Sequence, residues 1–148
     1  MENLKAFNLD NLNLTECFPA GFDQQLWYGI YFINEYSDPS IVMLDADFGF
    51  VTNHSSKNRQ GYLVLFNHHF LPQRLTEKLH KLPLFFQQGF GPFALNRQQV
   101  PELNGLFAKI CSELLSDYRF KKELLATWVT QLLHFIIKNF SVKSNSQW

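Results

Sequence analysis

Apolar residues fall along this chain in two rhythms. Between residues 26 and 66 they come in short, nearly unbroken runs: "LWYGIYFI" (26–33), "SIVMLDADFGFVTN" (40–53) and "YLVLF" (62–66). Aromatic and β-branched runs of this length, bounded by the turn signal "DPS" and the polar connection "HSSKNRQG", predict strands. Their lack of strict polar alternation predicts strands covered on both faces. "PLFFQQGFGPFAL" holds too many prolines and glycines for a helix and predicts one last short strand around Phe93–Leu95. Residues 1–20 are polar and read as an N-terminal arm.

From residue 67 the rhythm changes to three and four. Asn67 is a good N-cap, and "HHFL" after it allows a single helical turn before Pro72. Leu75, Leu79 and Leu82 predict a short amphipathic helix over 74–82. In "PELNGLFAKICSELLSDY", Leu103, Leu106, Phe107, Ile110, Leu114 and Leu115 share one face, and Pro101 suits a first turn. "RFKKELLATWVTQLLHFIIKNF" then runs for about six turns without Gly or Pro. Its apolar positions form two ridges: Leu124, Trp128, Leu132 and Phe135 or Ile136, beside Leu125, Val129, Leu133 and Ile137. One ridge suffices to cover a small β layer. The second predicts either a dimer interface through Leu124, Trp128, Leu132 and Phe135 or a helix wedged between sheet and neighbour. The tail 141–148, "SVKSNSQW", reads as flexible. The fold class expected is therefore α+β: an antiparallel β region over 21–98, then a pair of antiparallel helices over 99–140.

Composition adds one domain's worth of chain and a real core: 148 residues, sixteen of them phenylalanine. The formal net charge is zero, which gives the whole molecule no electrostatic reason to seek nucleic acid or anionic lipid. Residues 1–50 nevertheless carry eight acids against Lys5, and residues 119–148 carry five bases against Glu123. That asymmetry reads first as solvated surface. Cys17 and Cys111 form no CxxC, the N-terminus lacks a signal-peptide core, and no apolar run reaches about 18 residues. A reducing cytoplasm, with no membrane contact, is the expected location.

Candidate chemistry is sparse. His68 and His69 are adjacent, so on a strand they point to opposite faces, and neither H-x-H nor H-E-x-x-H occurs. There is no G-x-S-x-G nucleophile turn and no thiol-nucleophile setting, and "GFGPF" opens no helix and precedes no lysine. "LDAD" (44–47) offers two acids without further oxygen ligands. No catalytic residue, metal site or cofactor is expected, and the chain reads as not an enzyme. The aromatics divide evenly between two readings. Trp27, Tyr28, Tyr31, Phe48, Phe50 and Tyr62 could line an apolar pocket with polar tips for a small organic ligand, or simply fill a core.

The order of "FDQQLWYGIYFINE", "IVMLDADFGF", "GYLVLFNHHFL", "LPLFF", "PFALN" and "ELNGLFAKICSELL" resembles the N-terminal sensor and dimerisation domain of AraC-type transcription regulators, in spacing most like Bacteroidetes members. Gly61, Leu65, Phe66, Phe70 and Leu71 match one family pattern, and Leu106, Phe107, Ile110 and Glu113 another. The resemblance spans roughly residues 20–140. It implies a cupin-like half-barrel, shortened here because only "NEYSDP" separates two strands. It also implies a helical region that pairs two subunits, and a possible small-molecule effector. No helix-turn-helix follows Phe140, so no direct DNA binding by this chain is expected. The alternatives are a stand-alone interaction module that heterodimerises with full-length regulators and, more weakly, a degenerate cupin enzyme.

Overall fold

The computed structural model describes residues 3–9, 27–34, 38–44, 60–80 and 92–140. Among the described residues are five strands, β1 (Leu4–Asn8), β2 (Trp27–Ile33), β3 (Ser40–Leu44), β4 (Gly61–Asn67) and β5 (Phe93–Ala94), and three helices, α1 (Gln73–His80), α2 (Gln99–Leu114) and α3 (Lys121–Phe140). The strands make one antiparallel sheet in the order β1-β4-β2-β3-β5. The class is α+β. Predicted strand residues 45–53, the "LPLFF" element, Leu82 and the tail 141–148 lie outside the described residues.

β2 is the centre of the sheet, and all seven of its residues are buried. Alternate side chains point to opposite faces. Tyr28, Ile30 and Phe32 join Leu4, Ile41, Met43, Val64 and Phe66 on the face that the helices cover. Trp27, Tyr31 and Ile33 join Leu9, Val42, Leu63 and Leu65 on the other, which is buried as well. A central strand without a polar face is what a run without alternation requires.

β1 departs from the sequence reading. Leu4–Asn8 is a strand rather than part of an arm, in register with β4 from Leu4↔Phe66 to Asn8↔Tyr62. Its local signal is weak because Lys5 and Asn8 interrupt it. Its partner is more than fifty residues away, so tertiary pairing and the burial of Leu4 decide its conformation.

Gly61 begins β4 at φ +144°, where a Cβ would sit 1.9 Å from the Phe32 carbonyl oxygen. Only a glycine lets β4 start so close to β2. At the other end, Asn67 closes the strand. Its side-chain oxygen accepts from His69 N–H (3.0 Å), its carbonyl accepts from Phe70 N–H (3.0 Å), and its Nδ2 donates to Asn3 Oδ1 (2.8 Å). The "HHF" segment is therefore an Asn-closed turn, not the single helical turn expected.

α2 starts from a reciprocal cap. Asn96 Oδ1 accepts from the N–H groups of Gln98 and Gln99 (both 2.9 Å), while Gln99 Oε1 accepts from Asn96 N–H (2.9 Å). Leu103, Leu106, Phe107 and Ile110 face the sheet. Phe107 lies near-parallel to Phe32 (5.5 Å) and Tyr62 (5.7 Å), which binds the helix to the two central strands. Leu115, expected on this face, is instead 88% exposed. The helix closes just before it through Leu115 N–H to Ser112 O (3.1 Å) and Ser116 N–H to Glu113 O (3.0 Å), so the helical period no longer aims it inward.

Candidate functional site

The described surface that departs most from a solvated polar exterior belongs to the α2–α3 hairpin. The two helices are antiparallel. Gln99, at the start of α2, donates from Nε2 to Asn139 near the end of α3 (3.4 Å). Lys109 lies 6.0 Å from the Trp128 ring at mid-length. Lys121 Nζ, at the start of α3, reaches back to the carbonyls of Leu114 (3.3 Å) and Ser116 (3.0 Å). Lysine there satisfies carbonyls that the end of α2 leaves open and opposes its negative dipole end.

α3 buries Leu125, Val129, Leu132, Leu133 and Ile136. The stripe straddles the two predicted ridges instead of choosing one. Leu132, expected at a dimer interface, is fully buried within the single chain and has no surface to offer a second copy. It lies on the first ridge, at the point where that ridge turns into the core. Leu124, Trp128 and Phe135 are half-buried at the edge of that stripe, with Trp128 and Phe135 packed against the core and still in reach of solvent.

The connection between the helices is ordered by its own hydrogen bonds and still exposes apolar side chains. Ser116 Oγ donates to the Glu113 carboxylate and accepts from Tyr118 N–H (3.3 Å), and Lys121 N–H donates to Tyr118 O (3.2 Å). On this frame Leu115 is 88% exposed, and Tyr118 and Phe120 are each 52% exposed. The two rings meet edge to face at 5.9 Å, with the Arg119 guanidinium 5.5 Å from the Phe120 centroid. Sequence reasoning missed this tip. Its only signal was three large apolar residues in a short interhelical connection, where turn chemistry would favour small polar ones.

At the opposite end of the hairpin a groove of about 540 Å³ opens between the two helices, with Gln98, Gln99 and Glu102 on the α2 side and Gln131, His134, Phe135 and Lys138 on the α3 side. Its inner wall is fixed by a relay of amides. Asn96 N–H donates to Gln99, Gln99 Nε2 to Asn139 Oδ1, and Asn139 Nδ2 to the Phe135 carbonyl (2.7 Å).

The pocket aromatics do not converge. Trp27 and Tyr31 belong to one face of the sheet, and Tyr28 and Tyr62 to the other. Period-two geometry separates neighbours such as Trp27 and Tyr28. Phe48 and Phe50 lie outside the described residues. The groove between the helices is lined by none of these six.

The adjacent histidines also differ from strand geometry. Because β4 ends at Asn67, His68 and His69 occupy the turn, and their rings come to 3.8 Å at 41° instead of diverging. His68 Nδ1 is buried without a hydrogen-bond partner. Among the described residues no three His, Cys, Asp or Glu groups converge as metal ligands would. "LDAD", Cys17 and His54 fall outside them or at their edge. Cys111 is half-buried on α2, and burial pushes its thiol up from 9.0 to about 11, the opposite of what a nucleophile needs. No helix among the described residues is long and apolar enough to cross a membrane.

No protein-family model, curated protein or solved structure matches this chain.

Proposed function

We propose that the chain is a non-enzymatic sensor and dimerisation module of the kind found in AraC-type regulators. In this reading a shortened, cupin-like half-barrel carries a helical hairpin through which two copies meet. The observation that carries it is the apolar surplus of the hairpin. After α3 has buried Leu125, Val129, Leu132, Leu133 and Ile136 in the core, the chain still presents Leu115, Tyr118 and Phe120 to water and leaves Leu124, Trp128 and Phe135 half-covered. Tyrosine, tryptophan and arginine are the residues that most often dominate association energies, and Arg119 stands among them. A connection already ordered by hydrogen bonds loses little entropy on docking. A small-molecule effector would then act by biasing how the two hairpins meet.

Sedimentation equilibrium of the full chain across the micromolar range tests this. The wild type is expected to dimerise reversibly. The double variant Tyr118→Ser/Phe120→Ser is expected to weaken the dimer by roughly tenfold or more with little change in melting temperature, because both rings are half in water already. A wild-type chain that stays monomeric at every concentration overturns the reading.

A further inference from the structure

The groove between α2 and α3 adds a register to that dimer, a register that rests on the dimer reading itself. Two observations single the groove out. The first is its division of charge. Glu102 stands on the α2 wall, and His134 and Lys138 stand on the α3 wall. All three are exposed, and none has an ion-pair or hydrogen-bond partner within the chain among the described residues. The second is Gly105, one turn beyond Glu102 on the same α2 stripe and one turn before Lys109. A Cβ there would meet nothing within 4 Å, so the single chain gives no steric reason for glycine in a helix interior, where it is less favourable than alanine by about 1 kcal/mol. Glycine at an open helix position fits a surface that another backbone approaches closely.

We infer that the outer α2–α3 groove seats the same groove of a second copy, about a two-fold axis running along it. That axis lays α2 of one copy over α3 of the other at equal height. Within one chain, Glu102 lines the same groove as His134 and Lys138, so the rotation sets Glu102 of each copy against His134 and Lys138 of the other, twice over. Opposite charges on opposing walls make the surface complementary to itself, the condition a two-fold interface imposes. Gly105 then faces the α3 helix of the second copy near Gln131, and the two tips bearing Tyr118 and Phe120 come to lie at one end of the assembly.

Charge exchange in the full-length chain tests the register. Glu102→Lys alone sets lysine against Lys138, and Lys138→Glu alone sets glutamate against Glu102. Each variant is expected to weaken its own dimer by roughly tenfold at low salt, with melting temperature held, because both positions are exposed. Mixing the two single variants restores two opposite-charge contacts, so the mixture should dimerise near wild-type affinity where neither component does. The double variant Glu102→Lys/Lys138→Glu should recover for the same reason. Gly105→Ala should raise the melting temperature and weaken the dimer together, a divergence that a merely solvent-facing glycine would not give. Wild-type affinity in both single charge variants, or single variants that weaken without recovering on mixing, overturns the groove register and leaves dimerisation through the tip standing. A wild-type monomer at all concentrations defeats the dimer reading itself, and the register with it.

Discussion

Replacing Gly61 by alanine adds one methyl group and should remove much of the fold's stability. The Cβ would lie 1.9 Å from the Phe32 carbonyl oxygen, and recovering the 3.4 Å of ordinary contact requires the strand start to give by about 1.5 Å. The neighbour is backbone of the central strand, buried and paired on both sides, so no rotamer change relieves it. A side chain at φ +144° itself costs about 1–3 kcal/mol. Moving the strand start also threatens Leu9 N–H to Gly61 O and Asn34 N–H to Gln60 O, both 2.9 Å, at about 1 kcal/mol each. The sum is about 3–5 kcal/mol, against about 5–15 for a whole domain. At this size that corresponds to a fall in melting temperature of about 10–15 °C. Urea unfolding followed by circular dichroism should show a lower midpoint with an unchanged slope. A Gly61→Ala midpoint equal to wild type would refute the close approach of β4 to β2.

Three further outcomes are expected from the same packing. Phe107→Ala empties the space beside Phe32 and Tyr62 and should cost about 3–5 kcal/mol in urea unfolding; a loss under 1 would mean that the rings do not hold α2 to the sheet. Asn96→Ala removes the acceptor for two N–H groups at the start of α2 and should cost about 1 kcal/mol, with faster amide exchange at Gln98 and Gln99 as the local readout. Cys111 should be alkylated at pH 8 much more slowly in the native state than after unfolding, because burial keeps its thiol protonated. The stability its buried neutral thiol contributes is fully present below pH 9.0, where folded and unfolded forms are both protonated, and is lost as pH rises toward about 11, because the unfolded thiol ionises first. A Cys111→Ser variant that kept the same alkaline decline would assign it to another group.

How far these features can be read from the residues depends on whether the deciding contact is local. β2, β3 and β4 are legible because a run such as "WYGIYFI" has no polar residue to turn outward, so burial on both faces follows. α2 and α3 are legible because Leu103, Phe107 and Ile110, and Leu125, Val129 and Leu133, recur at helical spacing. β1 is not, since "LKAFN" becomes a strand only against β4. Spacing also could not say where α2 stops, and one residue past its end Leu115 changes from core to surface. Two ridges on α3 are visible in the residues, but not that the core takes Leu132 from one and Val129 from the other and leaves Trp128 and Phe135 at the margin. The groove charges at Glu102 and Lys138 come together only through the antiparallel pairing of the helices, a relation between distant positions that no local pattern contains.

The placement of β4 between β1 and β2 has a consequence for biosynthesis. Among the described strands β1 pairs with β4 alone, so that partner leaves the ribosome more than fifty residues after it. Loop closure over such a span is slow compared with local hairpin formation. Meanwhile the β2–β3 hairpin can form before β4 is there to pair the other edge of β2. The emergence of a single seven-residue segment then supplies both missing partners at once, which makes "GYLVLFN" the step on which cotranslational escape from aggregation depends.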